Sequence, residues 1–123
     1  MKVTIKRIYD AASPSDGYRV LVDRLWPRGV SKADAWLDSW AKDLAPSAGL
    51  RQWVHEDVAR WAEFERRYRA ELQAQRGAVE QLLRAAGNRP LTLLYAAREP
   101  QRNHAVVLQH WLEERIANDS HWR

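Results

Sequence analysis

Two short apolar runs constrain this chain more than anything else in it. Val20-Leu21-Val22 lies within Tyr18–Asp23, and Leu91-Thr92-Leu93-Leu94-Tyr95-Ala96-Ala97 comes much later. Neither run alternates strictly between apolar and polar residues. A continuous β-branched-rich run predicts a strand covered on both faces, as in parallel sheets. Turn formers bound both runs. Ser13-Pro14-Ser15-Asp16-Gly17 precedes the first, and Pro27 and Gly29 follow it. Gly87-Asn88 and Pro90 precede the second. Residues 3–9, Val-Thr-Ile-Lys-Arg-Ile-Tyr, alternate loosely and read as a further strand.

The stretches between the strands carry helical spacing. Ser31 is placed to cap a helix, with Asp34 three residues on and Trp36, Leu37, Trp40 and Leu44 following at helical intervals. Residues 38–44 also fit an extended segment, so both states stay open there. Ser47 can cap a short helix bearing Leu50, Trp53 and Val54. The clearest helix spans roughly 57–75, with Val58, Trp61, Phe64, Tyr68 and Leu72 on one stripe. A break is expected at Gly77, then a helix through Val79, Leu82, Leu83 and Ala86 that stops at Gly87-Asn88 and Pro90. Asn103 can cap the last helix, 104–117, whose inner face holds Val107, Leu108, Trp111, Leu112 and Ile116. The tail from Asn118 is expected to fray, with Trp122 able to fold back. Strands separated by helices give an α/β class: one small domain over 1–123, with a mainly parallel sheet flanked by helices.

Composition narrows the functional classes. Apolar residues make up 46% and charged residues 29%, a soluble globular balance. With no cysteine there is no disulfide, thiolate nucleophile or Cys-based metal site. That fits a reducing cytoplasm. Met1-Lys2-Val3-Thr4-Ile5-Lys6 is no signal peptide, and no apolar run approaches a membrane span. The charge of +4 is spread over bases interleaved with acids, which favours weak attraction to anions over a dedicated nucleic-acid arm. The seven tryptophans are mostly expected in packing.

In open parallel sheets ligands gather beyond the carboxyl ends of the strands. Two segments fit that place. The first is Asp23–Lys32. Arg24 and Arg28 offer planar forks for phosphate or carboxylate, and Lys32 adds a point charge. Trp26, beside Pro27, stands at the expected rim. The plainer reading pairs Asp23 with Arg24 and leaves Arg28 exposed. The second is Arg98–His104, a loop leading into a helix N-terminus, where backbone N–H groups favour an anion. Asn103 would cap, and His104 could exchange protons or bond a ligand. The plainer reading makes it a helix-start histidine touching solvent or a carboxylate. Metal sites are not expected. His55-Glu56 lacks the second histidine of a zinc helix, since Ala59 stands there, and His104 and His110 lie on different helix faces. The five glycines are isolated, so there is no phosphate-cradling loop, and no cofactor is expected.

Several blocks also carry a resemblance. They are Val22-Asp-Arg-Leu-Trp-Pro-Arg-Gly-Val-Ser-Lys32, Trp40-Ala-Lys-Asp-Leu-Ala-Pro-Ser47, Leu50-Arg-Gln-Trp53, Phe64 with Tyr68, Leu93-Leu-Tyr-Ala-Ala97, and Asn103-His-Ala-Val-Val-Leu108. Together, and in order along nearly the whole chain, they resemble the YeaO-like branch of the bacterial domain of unknown function 488 family. The resemblance implies a small cytosolic α/β protein with no settled activity. Other branches carry a Cys at the position of Tyr95 and Cys-His-Arg in place of Asn103-His104-Ala105. Of that triplet this chain keeps only His104, so thiol or metal chemistry does not transfer.

Three readings follow. The leading one is a site for a small phosphate- or carboxylate-bearing ligand, held by Arg24, Arg28 and Lys32, with Asn103 and His104 on the far wall and Trp26 at the rim. If a reaction follows, His104 is its proton-transfer group and Asp23 the partner or orienter. The second is a nucleic-acid-associated module built on the arginines of 57–75, which predicts a broad basic face. The third is a protein–protein adaptor. A monomer or a homodimer fits each of them, and none involves a membrane.

Overall fold

The computed structural model describes residues 1–118. Four strands, β1 (Val3–Arg7), β2 (Tyr18–Leu21), β3 (Ser39–Trp40) and β4 (Leu91–Tyr95), form one sheet in the order β1-β4-β2-β3, and every pairing is parallel. The last strand therefore inserts between the first two. Leu91 is in register with both Val3 and Tyr18. Parallel neighbours need long crossovers, and the largest here runs from β3 back to β4. It carries α2 (Ala48–Glu56), α3 (Trp61–Ala74) and α4 (Arg76–Ala86). A one-turn helix α1 (Lys32–Ala35) lies between β2 and β3, and α5 (His104–Asn118) follows β4.

Side-chain alternation divides each central strand between two faces. Tyr18, Val20, Val22, Leu91, Leu93 and Tyr95 join the main core with Phe64, Tyr68, Leu72, Val79, Leu83, Leu108 and Leu112 from the helices. Leu21 and Leu94 point the other way, into a small cluster with Ile8 and Ala35, covered in part by Trp26, Val30, Leu37 and Trp40. Both central strands are buried along their whole length. The α/β class and the parallel sheet expected from the apolar runs are present.

The second face is closed by polar groups as well as apolar ones. Arg19 is 5% exposed, and each guanidinium nitrogen has an acceptor. Nη1 reaches Asp16 Oδ2 at 2.5 Å, Nη2 the Ala35 carbonyl at 2.9 Å and Nε the Trp36 carbonyl at 3.0 Å. Lys6 meets Asp16 Oδ1 at 3.1 Å. Thr92 donates to the Asp16 carbonyl at 2.7 Å. Buried charges persist only when paired and hydrogen-bonded, and these are.

Several expected boundaries move. The helix from Ser31 lasts a single turn. Trp36 takes a left-handed conformation, φ 51°, and residues 39–40 are extended, as the second option for 38–44 allowed, whereas Lys42–Leu44 form a 3-10 turn that neither option foresaw. Arg19 makes that ending possible by capping the Ala35 and Trp36 carbonyls, so Trp36 is 70% exposed and lies on no buried stripe. The 57–75 helix begins at Trp61, after a 3-10 turn over Val58–Arg60 capped by Asp57, and Val58 is 73% exposed. The break expected at Gly77 falls at Gln75, and Gly77 sits inside the first turn of α4. There the Gln75 amide closes α3 on the Leu72 carbonyl and its own carbonyl opens α4, so no glycine is needed. Ser47, Gly87 and Asn103 end their helices where the sequence places them. Trp122 lies outside the described residues.

Candidate functional site at the carboxyl edge of the sheet

The chain leaves β2 through Val22, whose N–H still bonds the Leu94 carbonyl at 3.0 Å. Asp23 is the first residue past the ladder, and three contacts fix it. Its Oδ2 accepts the Ala96 N–H at 3.0 Å, and its main-chain carbonyl accepts the Trp40 indole N–H at 2.7 Å. Its Oδ1 lies 3.1 Å from His104 Nε2. His104 opens α5 from 82 positions away, and its Nε2 is 3.0 Å from the Val22 carbonyl oxygen. The ends of the two central strands and the start of the last helix thus meet at one aspartate–histidine pair. Each side chain is 16% exposed.

Tyr68 packs its ring edge against the imidazole, with centroids 6.3 Å apart. It is fully buried and donates its hydroxyl proton to the Leu44 carbonyl. Burial, and then the charges of Glu71 and Asp23, push its phenol well above the usual range. The same helix holds the neighbouring loop through Glu71, which accepts from the Ser47 amide at 2.8 Å and the Ser47 hydroxyl at 2.6 Å. Arg24 joins in by donating to the Pro46 and Ala45 carbonyls, both at 3.3 Å. Its fork is therefore engaged by main chain.

The other candidate residues are found in different states. Arg28 and Lys32 are exposed, and their side chains have no ion-pair partner among the described residues. Tyr9, just beyond β1, donates to the Arg28 carbonyl at 2.9 Å, which ties that loop to the same edge of the sheet. Trp26 donates its indole N–H to the Val30 carbonyl at 2.7 Å and meets Trp40 edge-on at 5.3 Å, so it braces the loop from within. Asn103 is 4% exposed. Its amide donates to the Glu99 carbonyl at 2.7 Å and its oxygen accepts the Val106 N–H at 3.0 Å. In the 98–103 loop the Glu99 carboxylate accepts from the Gln101 and Arg102 amides, which hold it below the usual carboxylate range. The chain supplies its own anion at those N–H groups. Arg7 secures the same loop by donating to the Ala97 and Ala96 carbonyls at 3.0 and 3.1 Å.

Sequence reasoning missed Arg19, Tyr68 and Trp40 as supports of this edge. No local signal marks Arg19, because its partners come from a turn and a helix end that only folding brings together. Tyr68 reads as one more member of an apolar stripe. Among the described residues no group of acidic or histidine side chains is arranged to hold a metal ion, and no helix is long and apolar enough to cross a membrane. A groove of about 440 Å³ lies between β3 and α4, lined by Tyr18, Trp40, Lys42, Leu82 and Ala85 among others. Lys42 stacks over Trp40 there at 4.0 Å, and the groove has no convergent cations.

Comparison with known proteins places the chain in a family. The chain is 48% identical to the uncharacterized protein YeaO of Escherichia coli K12 over 112 residues, 91% of this chain and 97% of the relative. It is 41% identical to the uncharacterized proteins Rv3073c of Mycobacterium tuberculosis H37Rv and Mb3100c of Mycobacterium bovis, over 93% of this chain and 96% of each relative. No solved structure matches it. The profile described as the inactive DUF488-N3 subclade matches residues 2–122, and the chain belongs to that subclade, in its YeaO-like branch.

Proposed function

We propose that this protein binds a small phosphate- or carboxylate-bearing ligand at the carboxyl edge of its sheet, beside the Asp23–His104 pair. The observation that carries the reading is the meeting of β2, β4 and the start of α5 at that pair, with Nε2 of His104 3.0 Å from the Val22 carbonyl and 3.1 Å from Asp23. Ligands of parallel α/β sheets occupy this end. Arg28 and Lys32 supply cations free of ion pairs among the described residues, and Arg24 serves by holding the 45–46 segment in place. Binding without turnover is the form that fits a subclade described as inactive.

The nucleic-acid reading has less support. Arg66 and Arg67 pair with Glu63, Arg69 with Glu114 and Arg60 with Glu56. Arg60 and Arg67 also lie over the Trp53 ring, at 5.0 and 4.3 Å. That face is mixed in charge rather than broadly basic, and exposed pairs of this kind leave little net field for a polyanion.

Calorimetric titration with phosphate, nucleotides and phosphosugars tests the proposal. Saturable binding is expected for at least one of them, weakened about tenfold or more by Arg28→Ala, the scale of one charge-assisted contact. If none binds above background, the proposal fails.

A further inference from the structure

We infer that the anion taken at this edge also carries a hydroxyl or N–H group, which it donates to Nδ1 of His104. The inference rests on the anion-binding reading and narrows its ligand class. A carbonyl oxygen can only accept a hydrogen bond, and Val22 places one 3.0 Å from Nε2. Nε2 therefore bears the proton. Asp23 gives a second, independent reason. Its Oδ1 is sealed from solvent, has no hydrogen-bond partner and lies 3.1 Å from the same nitrogen, off the N–H axis. A lone pair on Nε2 would face that carboxylate oxygen and be repelled. Asp23 cannot turn aside, because Ala96 and Trp40 hold its other oxygens.

Nδ1 of the neutral ring is then an acceptor, and it has no partner among the described residues. The hydroxyl of Tyr68, whose ring packs against the imidazole, gives its proton to the Leu44 carbonyl. A second-ring-nitrogen partner that fixes the tautomer is a recurrent way of aiming the first nitrogen at a ligand. A fully ionised phosphate or carboxylate offers acceptors alone and gains nothing from a lone pair. The charged end of the ligand therefore belongs toward Arg28 and Lys32, and a protic group toward His104. Sites that bond a hydroxyl discriminate strongly against the analogue lacking it, because their own polar atom is left unpaired.

The test pairs glycerol 3-phosphate with n-propyl phosphate, which share the anion and differ in hydroxyls. The titrations use the full chain at about pH 8. Glycerol 3-phosphate is expected to bind about tenfold or more tightly, and His104→Phe to reduce that ratio toward one. Nitrogen-15 spectra of the imidazole, recorded on the free protein, should show the proton on Nε2. Equal binding of the two phosphates overturns the inference and leaves the anion reading standing. Binding of neither overturns the anion reading, and the ligand class falls with it. A proton found on Nδ1 overturns the inference whatever the titrations give.

Discussion

Arg19 and Asp16 form a buried ion pair on a sheet face with too little apolar cover to close by itself. Removing Arg19 leaves Asp16 to Lys6 and the Ser13 amide, and leaves the Ala35 and Trp36 carbonyls without their donor. Arg19→Ala is expected to cost about 3–5 kcal/mol in urea unfolding, the range for a broken buried pair. A loss below about 1 kcal/mol would mean that Lys6 and the Ser13 amide suffice for Asp16. Tyr68 is a second residue whose polar atom outweighs its size. In Tyr68→Phe the ring still packs, but the buried Leu44 carbonyl loses its donor. The cost should be about 1–3 kcal/mol. The 44–47 loop should also exchange its amide protons faster, as hydrogen exchange would report. An unchanged exchange rate would show that Arg24 and Glu71 hold the loop unaided.

Turns at the strand ends set the geometry of whole elements. Gly17, φ +66°, enters β2 so close to the start of β4 that an added Cβ would lie 2.2 Å from the Pro90 carbonyl oxygen. The same oxygen accepts the Tyr18 N–H at 2.8 Å and fixes the β2–β4 register. Gly17→Ala must therefore shift the strands, whereas at Gly29, φ +76°, the space is open and only backbone strain is paid. Thermal unfolding should show Gly17→Ala to be clearly the more damaging, with Gly29→Ala costing about 1 kcal/mol. Trp36 is the converse case. It holds a left-handed conformation that glycine adopts freely, and its ring is mostly in solvent. Trp36→Gly should leave stability unchanged or raise it by up to about 1 kcal/mol. A drop in melting temperature would show that the indole packs more than its exposure suggests.

Across the whole molecule, acid stability should trace to the polar face of the sheet. Burial pushes the Asp16 carboxyl up, but the Ser13 amide, Lys6 and Arg19 together outweigh it and hold it below the usual range. A depressed carboxyl contributes stability that is complete above its unfolded value, about 3.9, and is lost as pH falls through the lower folded value. The advantage of the wild type over Asp16→Asn should therefore shrink below about pH 4. An advantage that stays constant to about pH 2 would contradict this account. The sequence by itself determined the class of fold, because unbroken apolar runs such as Val20-Leu21-Val22 have no stable place except between two covering layers. It also determined the caps at Ser47, Gly87 and Asn103, which depend on local backbone chemistry alone. Tertiary structure decided that β4 inserts between β1 and β2, that the helix from Ser31 stops after one turn, and that Asp23 meets His104. Each of those depends on partners far along the chain, such as Arg19 reaching the Ala35 and Trp36 carbonyls. Local spacing carries no record of which distant acceptor a buried donor will find, since that choice is made by the packed sheet.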